Sequence, residues 1–294
     1  MALVPLSELL RAAGDGGYAV GYFEAWDTYS LEAVAEAAEA ERSPAVLGFG
    51  GMMMDQLWLD RFGIEPLGAY GRALADRLSV PAALILNEVW EPEHARRGAV
   101  AGFNVVMLNT CELPFERQVE LTRSLVQFAH SRGVEVQAEL GRLPSFGSDD
   151  TGELTDPAQA REFVAATGAD FLAVSVGNVH LQTDGTSGID FGRLRSIRRE
   201  VSIPLVVHGG SGLSEDTVAA LIGEGITLFH VGTVMKKRFW EAAQMTLSER
   251  ADRRDYQALV GSRRPEDFLL PGKDAVAESV RCLMRRHGSS GKAV

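Results

Sequence analysis

Polar side chains recur in this sequence at the points where short apolar runs end. They are carboxylates, imidazoles and carboxamides, the groups that transfer protons or bind ligands in enzyme sites. The residues are Glu24, Asn87, Glu88, Asn109, Glu139, Asn178, His180 and His208. Burying such groups without partners costs free energy, so a packed core gains nothing from placing them there. Their repeated placement indicates a functional site at the ends of the runs.

Two glycine-containing turns add backbone groups to the same region. Gly209, Gly210 and Ser211 follow one apolar run, and Gly232 and Thr233 follow another. A turn of this kind exposes backbone N–H groups near the start of a helix, where they can bind an anion such as phosphate. Glycines also form ordinary tight turns between strands and helices. We predict that the two turns bind the substrate or its phosphate, with an ordinary tight turn as the alternative.

Eight short apolar runs alternate with segments of helical periodicity, and these elements must position the polar groups. The predicted strands are Tyr18–Glu24, Ala45–Phe49, Ala82–Glu88, Gly102–Asn109, Val134–Leu140, Phe171–Gly177, Leu205–His208 and Thr227–Val231. Runs that are apolar almost throughout are typical of parallel strands covered on the outside by helices. Helices are predicted after Ser30 and over Phe115–Arg132, Ala158–Thr167 and Thr217–Gly223.

The repeated alternation of strand and helix predicts an α/β fold, a closed (β/α)8 TIM barrel. An open dinucleotide-binding sheet is disfavoured because no G-x-G-x-x-G motif follows the first strand. We expect one domain over residues 1–294, with extra helices and loops after Asp252 and a flexible tail at about 288–294. In such a barrel the active site lies at the carboxyl ends of the strands, where the polar residues cluster.

The composition limits the classes of partner. The chain has 294 residues, of which 46% are hydrophobic, and a formal net charge of -11. This charge argues against a general binder of nucleic acid or anionic membranes, although a few local donors can still hold a phosphate. The two cysteines, Cys111 and Cys282, are too few for a disulfide framework. With no signal-peptide or membrane-spanning pattern, we expect a soluble, cytoplasmic protein with a small-molecule substrate.

Four blocks of the sequence resemble the class II, metal-dependent aldolases of fructose bisphosphate and related ketose bisphosphates. One of them, VVHGGSGL (Val206–Leu213), contains the first glycine turn. The others are VMLNTCELPFERQVELTRSLVQFAHSRGVEVQAELGRL (Val106–Leu143), LTDPAQAREFVAATGADFLAVSVGNVH (Leu154–His180) and PEDFLLPGKDAVAESVRCLMRRHGSSGKA (Pro265–Ala293). The blocks follow the family's order and extend over nearly the full chain, so the resemblance also implies a barrel.

The resemblance implies a metal site. In that family three histidines hold a divalent metal, usually zinc, which stabilises an enediolate by Lewis-acid catalysis. Two of the histidines correspond to His180 and His208, and the third belongs to an Asp-His pair that reads Asn87-Glu88 here. We therefore predict one divalent ion bound by Glu88, His180 and His208. Zn²⁺ is the first expectation, and Mn²⁺, Co²⁺ and Fe²⁺ also suit two histidines and a carboxylate.

Two of these assignments have alternatives. Glu88 could form a salt bridge with an arginine and leave no metal site. Glu139 keeps its family identity, which implies either support for the metal or only hydrogen bonds to neighbouring strands.

Several catalytic positions of the family are altered. Asn87 replaces the Asp that transfers protons, and an amide cannot exchange a proton as a carboxylate does. Glu24 and His230 stand where the family has asparagines. We therefore expect the catalytic set to be Asn87, Glu24, His230 and Glu139, with Glu24, Glu88 or His230 transferring the proton. A packed, hydrogen-bonded His230 is an equal alternative.

Three further departures concern the substrate. Ser148 appears in place of a loop glutamate, and Leu181 replaces a glycine, with no lysine in the residues that follow. Trp26 stands at another position where asparagine is common, where it either lines a less polar pocket or packs against helices. Together with Asn87, these changes predict that fructose 1,6-bisphosphate is not the main substrate.

The leading functional hypothesis is a divalent-metal-dependent lyase of the aldolase type, with a role in specialised metabolism. It would act on a small oxygenated carbonyl compound, with or without a phosphate group, through an enolate or enediolate. The competing hypotheses are a non-catalytic barrel that binds a metabolite or protein partner, and a metal-dependent isomerase or epimerase on the same scaffold. The resemblance also implies a homodimer or homotetramer.

Overall fold

The structure is a computed structural model that describes residues 3–182 and 188–293. Its eight strands form one closed parallel barrel, in which each strand pairs with the next along the chain and the eighth pairs with the first. The strands are β1 (Val20–Phe23), β2 (Ala45–Gly50), β3 (Ala82–Val89), β4 (Val105–Leu108), β5 (Glu135–Leu140), β6 (Phe171–Val174), β7 (Leu205–Val207) and β8 (Leu228–Val231). The predicted TIM barrel is confirmed, with differences only at the strand ends.

Helices follow the strands and cover the outside of the barrel. They are α1 (Leu6–Gly16), α2 (Thr28–Glu41), α3 (Gln56–Trp58), α4 (Ile64–Ala75), α5 (Pro92–Val100), α6 (Phe115–His130), α7 (Pro157–Thr167), α8 (Phe191–Glu200), α9 (Glu215–Gly223), α10 (Thr233–Glu249), α11 (Tyr256–Leu259) and α12 (Leu270–Arg286). The extra helices expected after Asp252 are α11 and α12.

The start of α2 corrects one prediction. The helix begins at Thr28, before Ser30, because the Asp27 carboxylate accepts a hydrogen bond from the backbone N–H of Ser30 at 2.7 Å. The Ser30 hydroxyl in turn accepts from the backbone N–H of Asp27 at 3.0 Å. This reciprocal capping box places Ser30 in the first turn of the helix rather than ahead of it.

The barrel interior is apolar toward the amino ends of the strands. Inward side chains such as Val46, Ile85 and Phe171 are fully buried there, and Leu6 and Leu10 of α1 pack against the same cluster. Side chains alternate between the two faces of a strand, so the next inward positions lie one layer higher. Those higher positions carry the polar residues, and the core therefore supports a polar layer at the carboxyl ends of the strands.

The carboxyl-terminal segment differs from the predicted flexible tail. Ser289 is fully buried, and the backbone N–H groups of Gly291 and Ala293 donate to the carbonyls of Glu41 and Arg42 at 2.8 and 2.9 Å. These contacts tie the segment to the end of α2. Its glycines and serines indicated flexibility, but they also allow the close backbone approach seen here. The final residue of the predicted tail lies outside the described residues.

Candidate active site

Three side chains converge at the carboxyl end of the barrel. Glu88 comes from β3, His180 follows β6 and His208 follows β7, and each offers a ligand atom within 4.8 Å of the other two. Nδ1 of His208 lies 3.5 Å from Oε1 of Glu88, and Nε2 of His180 lies 3.9 Å from the same oxygen. Two imidazoles and one carboxylate at this spacing form a group that could hold a divalent metal ion.

The backbone of β3 turns Glu88 into the barrel. Asn87 and Glu88 are consecutive, so a regular strand would direct their side chains to opposite faces. The pairing register with β4 shifts between Leu86 and Val89, and Glu88 adopts a φ of 50°, which is rare for a residue other than glycine. The Asn87 amide can then donate to Oε2 of Glu88 at 2.7 Å, which leaves Oε1 facing the histidines. Such local strain is typical of functional sites.

The atoms that face the centre of this cluster lack ordinary partners. Oε1 of Glu88 and Nδ1 of His208 are buried and accept or donate no hydrogen bond within the described residues. The ion-pair partners of Glu88 in that part of the chain are His180 and His208, so the alternative pairing with an arginine is not found there. Unsatisfied buried ligand atoms that point at one another fit a divalent cation, which would neutralise the carboxylate.

The electrostatics of the cluster favour the ligand forms of Glu88 and His180, whereas the pKa of His208 shifts toward its protonated form. Burial opposes ionisation of Glu88, but the neighbouring His208 and His180 outweigh it and hold the pKa of the carboxyl well below its usual range. Burial lowers the pKa of His180. Burial also works against a charged His208, but the Glu88 carboxylate raises the pKa of this imidazole overall. An ionised carboxylate is therefore the resting form of Glu88.

β5 contributes two inward polar residues, Gln137 and Glu139. The Gln137 amide nitrogen lies 3.0 Å from Nε2 of His208, and its amide oxygen is buried without a partner in the described structure. Glu139 is almost fully buried, and burial raises the pKa of its carboxyl to about 7. Glu139 is not one of the three converging ligands, whereas Gln137 touches one of them. Sequence reasoning missed Gln137, although its position two residues before Glu139 on one strand face was a usable signal.

Tyr22 and His230 line the cavity beside the cluster of Glu88, His180 and His208. Their strands pair in register, and their rings meet edge-on with centroids 4.6 Å apart. The His230 ring also stacks on His208 at 4.1 Å. Both nitrogens of His230 and the hydroxyl of Tyr22 are buried without hydrogen-bond partners among the described residues. Burial lowers the pKa of His230 well below its ordinary value, so this imidazole is neutral and the predicted hydrogen-bonded His230 is not found.

Glu24 lies at the rim of the same cavity and forms an ion pair that the sequence did not predict. Lys236, in the first turns of α10, donates to Oε1 of Glu24 at 2.5 Å. The Lys236 ammonium lies 5.8 Å from the centroid of the Trp26 ring. Trp26 packs edge-on against Phe239 of α10, so packing against a helix is the alternative that the structure supports for this residue.

The two glycine turns lie next to each other. Gly209 has a φ of 71°, and a Cβ there would collide with the carbonyl of Val179, so the turn requires glycine. The Ser211 hydroxyl accepts from the backbone N–H of Val234 at 3.3 Å, which joins the turn after β7 to the start of α10. The cavity-lining residues of the two turns are Gly209, Ser211, Gly232 and Thr233. Gly210 is buried behind them.

Other polar residues singled out at strand ends have structural contacts. The Asn178 amide donates to the carbonyl of His208 at 3.0 Å and accepts from the backbone of Val176, which braces the turn before His180. The side-chain oxygen of Asn109 accepts a hydrogen bond from the backbone N–H of Cys111 at 3.1 Å. Ser148 lies on an exposed loop and donates to the carbonyl of Ser145. Residues 183–187, which follow Leu181 and lack the family's lysine, lie outside the described residues.

A (β/α)8 barrel whose mouth holds a carboxylate–histidine cluster and an adjacent polar cavity is the architecture of a barrel enzyme. The chain belongs to the class II fructose-bisphosphate aldolase family, because the model for "Fructose-bisphosphate aldolase class-II" matches residues 4–292. Members of this family are carbon–carbon lyases, and the predicted aldolase-type lyase is confirmed at that level. In the described ranges, no helix is long and apolar enough to cross a membrane.

The chain is similar over its full length to aldolases of several bacteria. A fructose-bisphosphate aldolase of Geobacillus stearothermophilus is 33% identical over 298 residues, covering 100% of this chain and 99% of that protein. A 6-phospho-5-dehydro-2-deoxy-D-gluconate aldolase of Bacillus licheniformis is 32% identical and covers 100% and 98%. Among solved structures, the YdjI aldolase of Escherichia coli K12 superposes with a TM-score of 0.80 at 28% identity, over 99% of this chain and 100% of that chain.

Proposed function

We propose that this chain is a divalent-metal-dependent aldolase that makes or breaks a carbon–carbon bond next to the carbonyl group of a small oxygenated substrate. The observation that carries the proposal is the convergence of Glu88, His180 and His208, with unpartnered ligand atoms, beside a cavity at the barrel mouth. Zn²⁺ is the first candidate, and Mn²⁺, Co²⁺ and Fe²⁺ suit the same ligands. When bound, the metal supplies Lewis-acid stabilisation of the negative charge that develops as an enolate or enediolate forms.

The remaining residues of the site would position and protonate the substrate. Asn87 fixes Glu88 by its hydrogen bond and cannot itself exchange a proton. Glu24 is held by Lys236, whereas His230 presents two unpartnered nitrogens to the cavity. His230 is therefore the better candidate for proton transfer. Glu139, with the pKa of its carboxyl raised to about 7, would support the ligands from beneath.

Metal analysis tests this function directly. We expect one equivalent of divalent metal in the purified chain after incubation with Zn²⁺, and a large loss of affinity in Glu88→Ala and His208→Ala. His130→Ala is a matched control, because this histidine lies on the surface and pairs with Asp170. A wild-type chain that stays metal-free with Zn²⁺, Mn²⁺ and Co²⁺ would contradict the proposal. Retention of full affinity by Glu88→Ala alone would remove Glu88 from the ligand set.

Fructose 1,6-bisphosphate should be a poor substrate. The family's proton-transferring Asp is Asn87 here, and loss of one acid–base contribution typically costs about 10²–10⁴-fold in rate. A coupled assay of triose-phosphate release measures this directly. Turnover comparable with that of an ordinary aldolase, such as the Geobacillus relative run in parallel, would show that another residue fully replaces the Asp.

The setting of the enzyme is also part of the proposal. Cys111 and Cys282 are free, which is compatible with a reducing cytoplasm.

Exposed apolar side chains on α10 and in the segment after it, including Trp240, Met245 and Tyr256, are a surface that a homodimer or homotetramer would bury.

A further inference from the structure

The carboxylate of Glu24 lies beside the second glycine turn, Gly232 and Thr233, at the start of α10. A Cβ at Gly232 would lie 3.3 Å from Oε2 of Glu24, and a Cβ at Gly50 would collide with the same oxygen. Gly232 is the residue before the first turn of α10, a helix of 17 residues with no side-chain cap. The Glu24 carboxylate therefore lies beside an uncapped helix N-terminus, which favours an anion.

The positive side chain of this region is already paired with the same carboxylate. Lys236 lies one turn into α10, and its ammonium donates to Oε1 of Glu24 at 2.5 Å. Within the described lining of the cavity, no other lysine or arginine is present. Residues 183–187, outside the described ranges, read TDGTS and add none by sequence. The helix N-terminus and its nearby cation are thus both neutralised from inside the chain.

A phosphate would have to enter beside this carboxylate. The Glu24 side chain is 14% exposed, so solvent and salt screen its repulsion of a second anion only weakly. A substrate hydroxyl, in contrast, can donate to the carboxylate without displacing it from Lys236.

We infer that Glu24 occupies the anion position of the barrel mouth, and that the substrate fragment bound there is an unphosphorylated hydroxycarbonyl compound. Its hydroxyl groups would face Glu24 and Lys236, and its carbonyl end would face Glu88 and the histidines. This inference rests on the proposed function, because it specifies the substrate class of that same site.

Calorimetric titration with inorganic phosphate tests the inference. We expect no saturable binding to the wild-type chain below about 10 mM. Glu24→Gln removes the negative charge and releases Lys236, so phosphate affinity should rise at least about tenfold. The double variant Glu24→Gln/Lys236→Met should lose that gain. Glu112→Gln is a charge-matched control, since Glu112 is an exposed carboxylate outside the cavity lining, and it should leave phosphate binding unchanged.

Three outcomes would overturn the inference: submillimolar phosphate binding by the wild-type chain, no gain in a folded Glu24→Gln variant, or a gain that survives the loss of Lys236. Glu24→Ala serves as a second variant if Glu24→Gln does not fold, with circular dichroism as the check. Phosphate binding requires neither metal nor turnover. A phosphate titration that contradicts this inference therefore does not bear on the metal-binding proposal. A wild-type chain that binds no metal would contradict the proposed function in a separate experiment.

Discussion

Glu88 shows how one residue can change a site through both its chemistry and its backbone. Because a carboxylate replaces a neutral histidine, the total charge of the three ligands is one unit more negative. A divalent ion bound by them would be a weaker Lewis acid. The side chain reaches the cluster only because its φ of 50° and the adjacent register shift turn it inward. The Asn87 amide, which has lost the acid–base role of a carboxylate, holds Glu88 in that orientation.

Gln137 is the residue that we expect to set the tautomer of His208. With Nδ1 turned toward Glu88 as a ligand atom, Nε2 must carry the proton and needs an acceptor. Rotation of the Gln137 carboxamide by half a turn places its oxygen beside Nε2 of His208. This rotation needs no other change, because the oxygen and the NH2 group of a carboxamide are nearly equal in shape. Gln137→Leu should therefore lower zinc affinity about 10–100-fold.

Competition against a chromophoric chelator measures this affinity without any assay of activity. Gln137→Glu keeps an acceptor beside Nε2 of His208, so this conservative variant should retain zinc binding. Both variants must show the wild-type circular dichroism spectrum. Wild-type affinity in a folded Gln137→Leu variant would mean that Gln137 only fills space between the strands.

At the scale of elements, the partly buried carboxylate of Glu41 joins α2 to α12. Glu41, the last residue of α2, receives Arg281 and Arg285 of α12 and the hydroxyl of Ser290. The hydrogen bonds from Arg285 dominate and lower the pKa of Glu41 to about 2. This ion-pair cluster joins two helices next to β1. That strand carries Tyr22 and is followed directly by Glu24.

Glu41→Gln should lower the free energy of unfolding by about 1–3 kcal/mol at pH 7. The folded pKa lies below the unfolded value, so the contribution is fully present above about pH 4.5 and is lost as the pH falls toward 2. Urea unfolding at pH 7 and at pH 3 measures the difference between variant and wild type.

Glu120→Gln is the matched control for that experiment. Glu120 pairs with Arg117 on α6, and the two side chains are 66 and 50% exposed. An exposed ion pair contributes little, so the free energy of unfolding of this variant should lie within about 0.5 kcal/mol of the wild type. Equal effects of the two substitutions would contradict the special role of Glu41.

At the scale of the whole molecule, α10 and the segment after it carry several exposed apolar side chains. Trp240, Met245 and Leu247 of α10 are 63, 65 and 55% exposed, and Tyr256 and Val260 beyond it are 64 and 62% exposed. Exposed apolar side chains concentrated in one segment are typical of protein interfaces. We expect them to lie in the interface of the proposed homo-oligomer.

Light scattering at dilute concentration tests this expectation. The wild-type chain should show at least twice the 31.8 kDa mass of one chain, and Trp240→Glu should shift the population toward monomer. Phe62→Glu is the control, because Phe62 is 62% exposed, as Trp240 is, but precedes α4 and is far from α10 in sequence. A monomeric wild type, or dissociation by Phe62→Glu alone, would exclude this interface.

The sequence by itself determined the barrel and the region of its site. Eight runs that are apolar almost throughout predict buried parallel strands, and the amphipathic helical segments between them predict the helices that cover them. The alternation of strand and helix along the whole chain favours a closed barrel. Polar side chains at the ends of these runs then had to meet at one end of the barrel. His180, His208 and Glu88 do lie together at that end of the barrel, and residues of both glycine turns line the same cavity.

Only the tertiary structure decided which groups touch. Glu24 and Lys236 are 212 residues apart, and they pair because β1 and β8 close the barrel. Gln137 meets His208 across the barrel interior. The inward orientation of Glu88 depends on a register shift in β3 and on a positive φ. The pattern of apolar residues along a strand does not indicate either feature. Contacts between distant strands depend on register and backbone geometry, which local side-chain preferences do not encode.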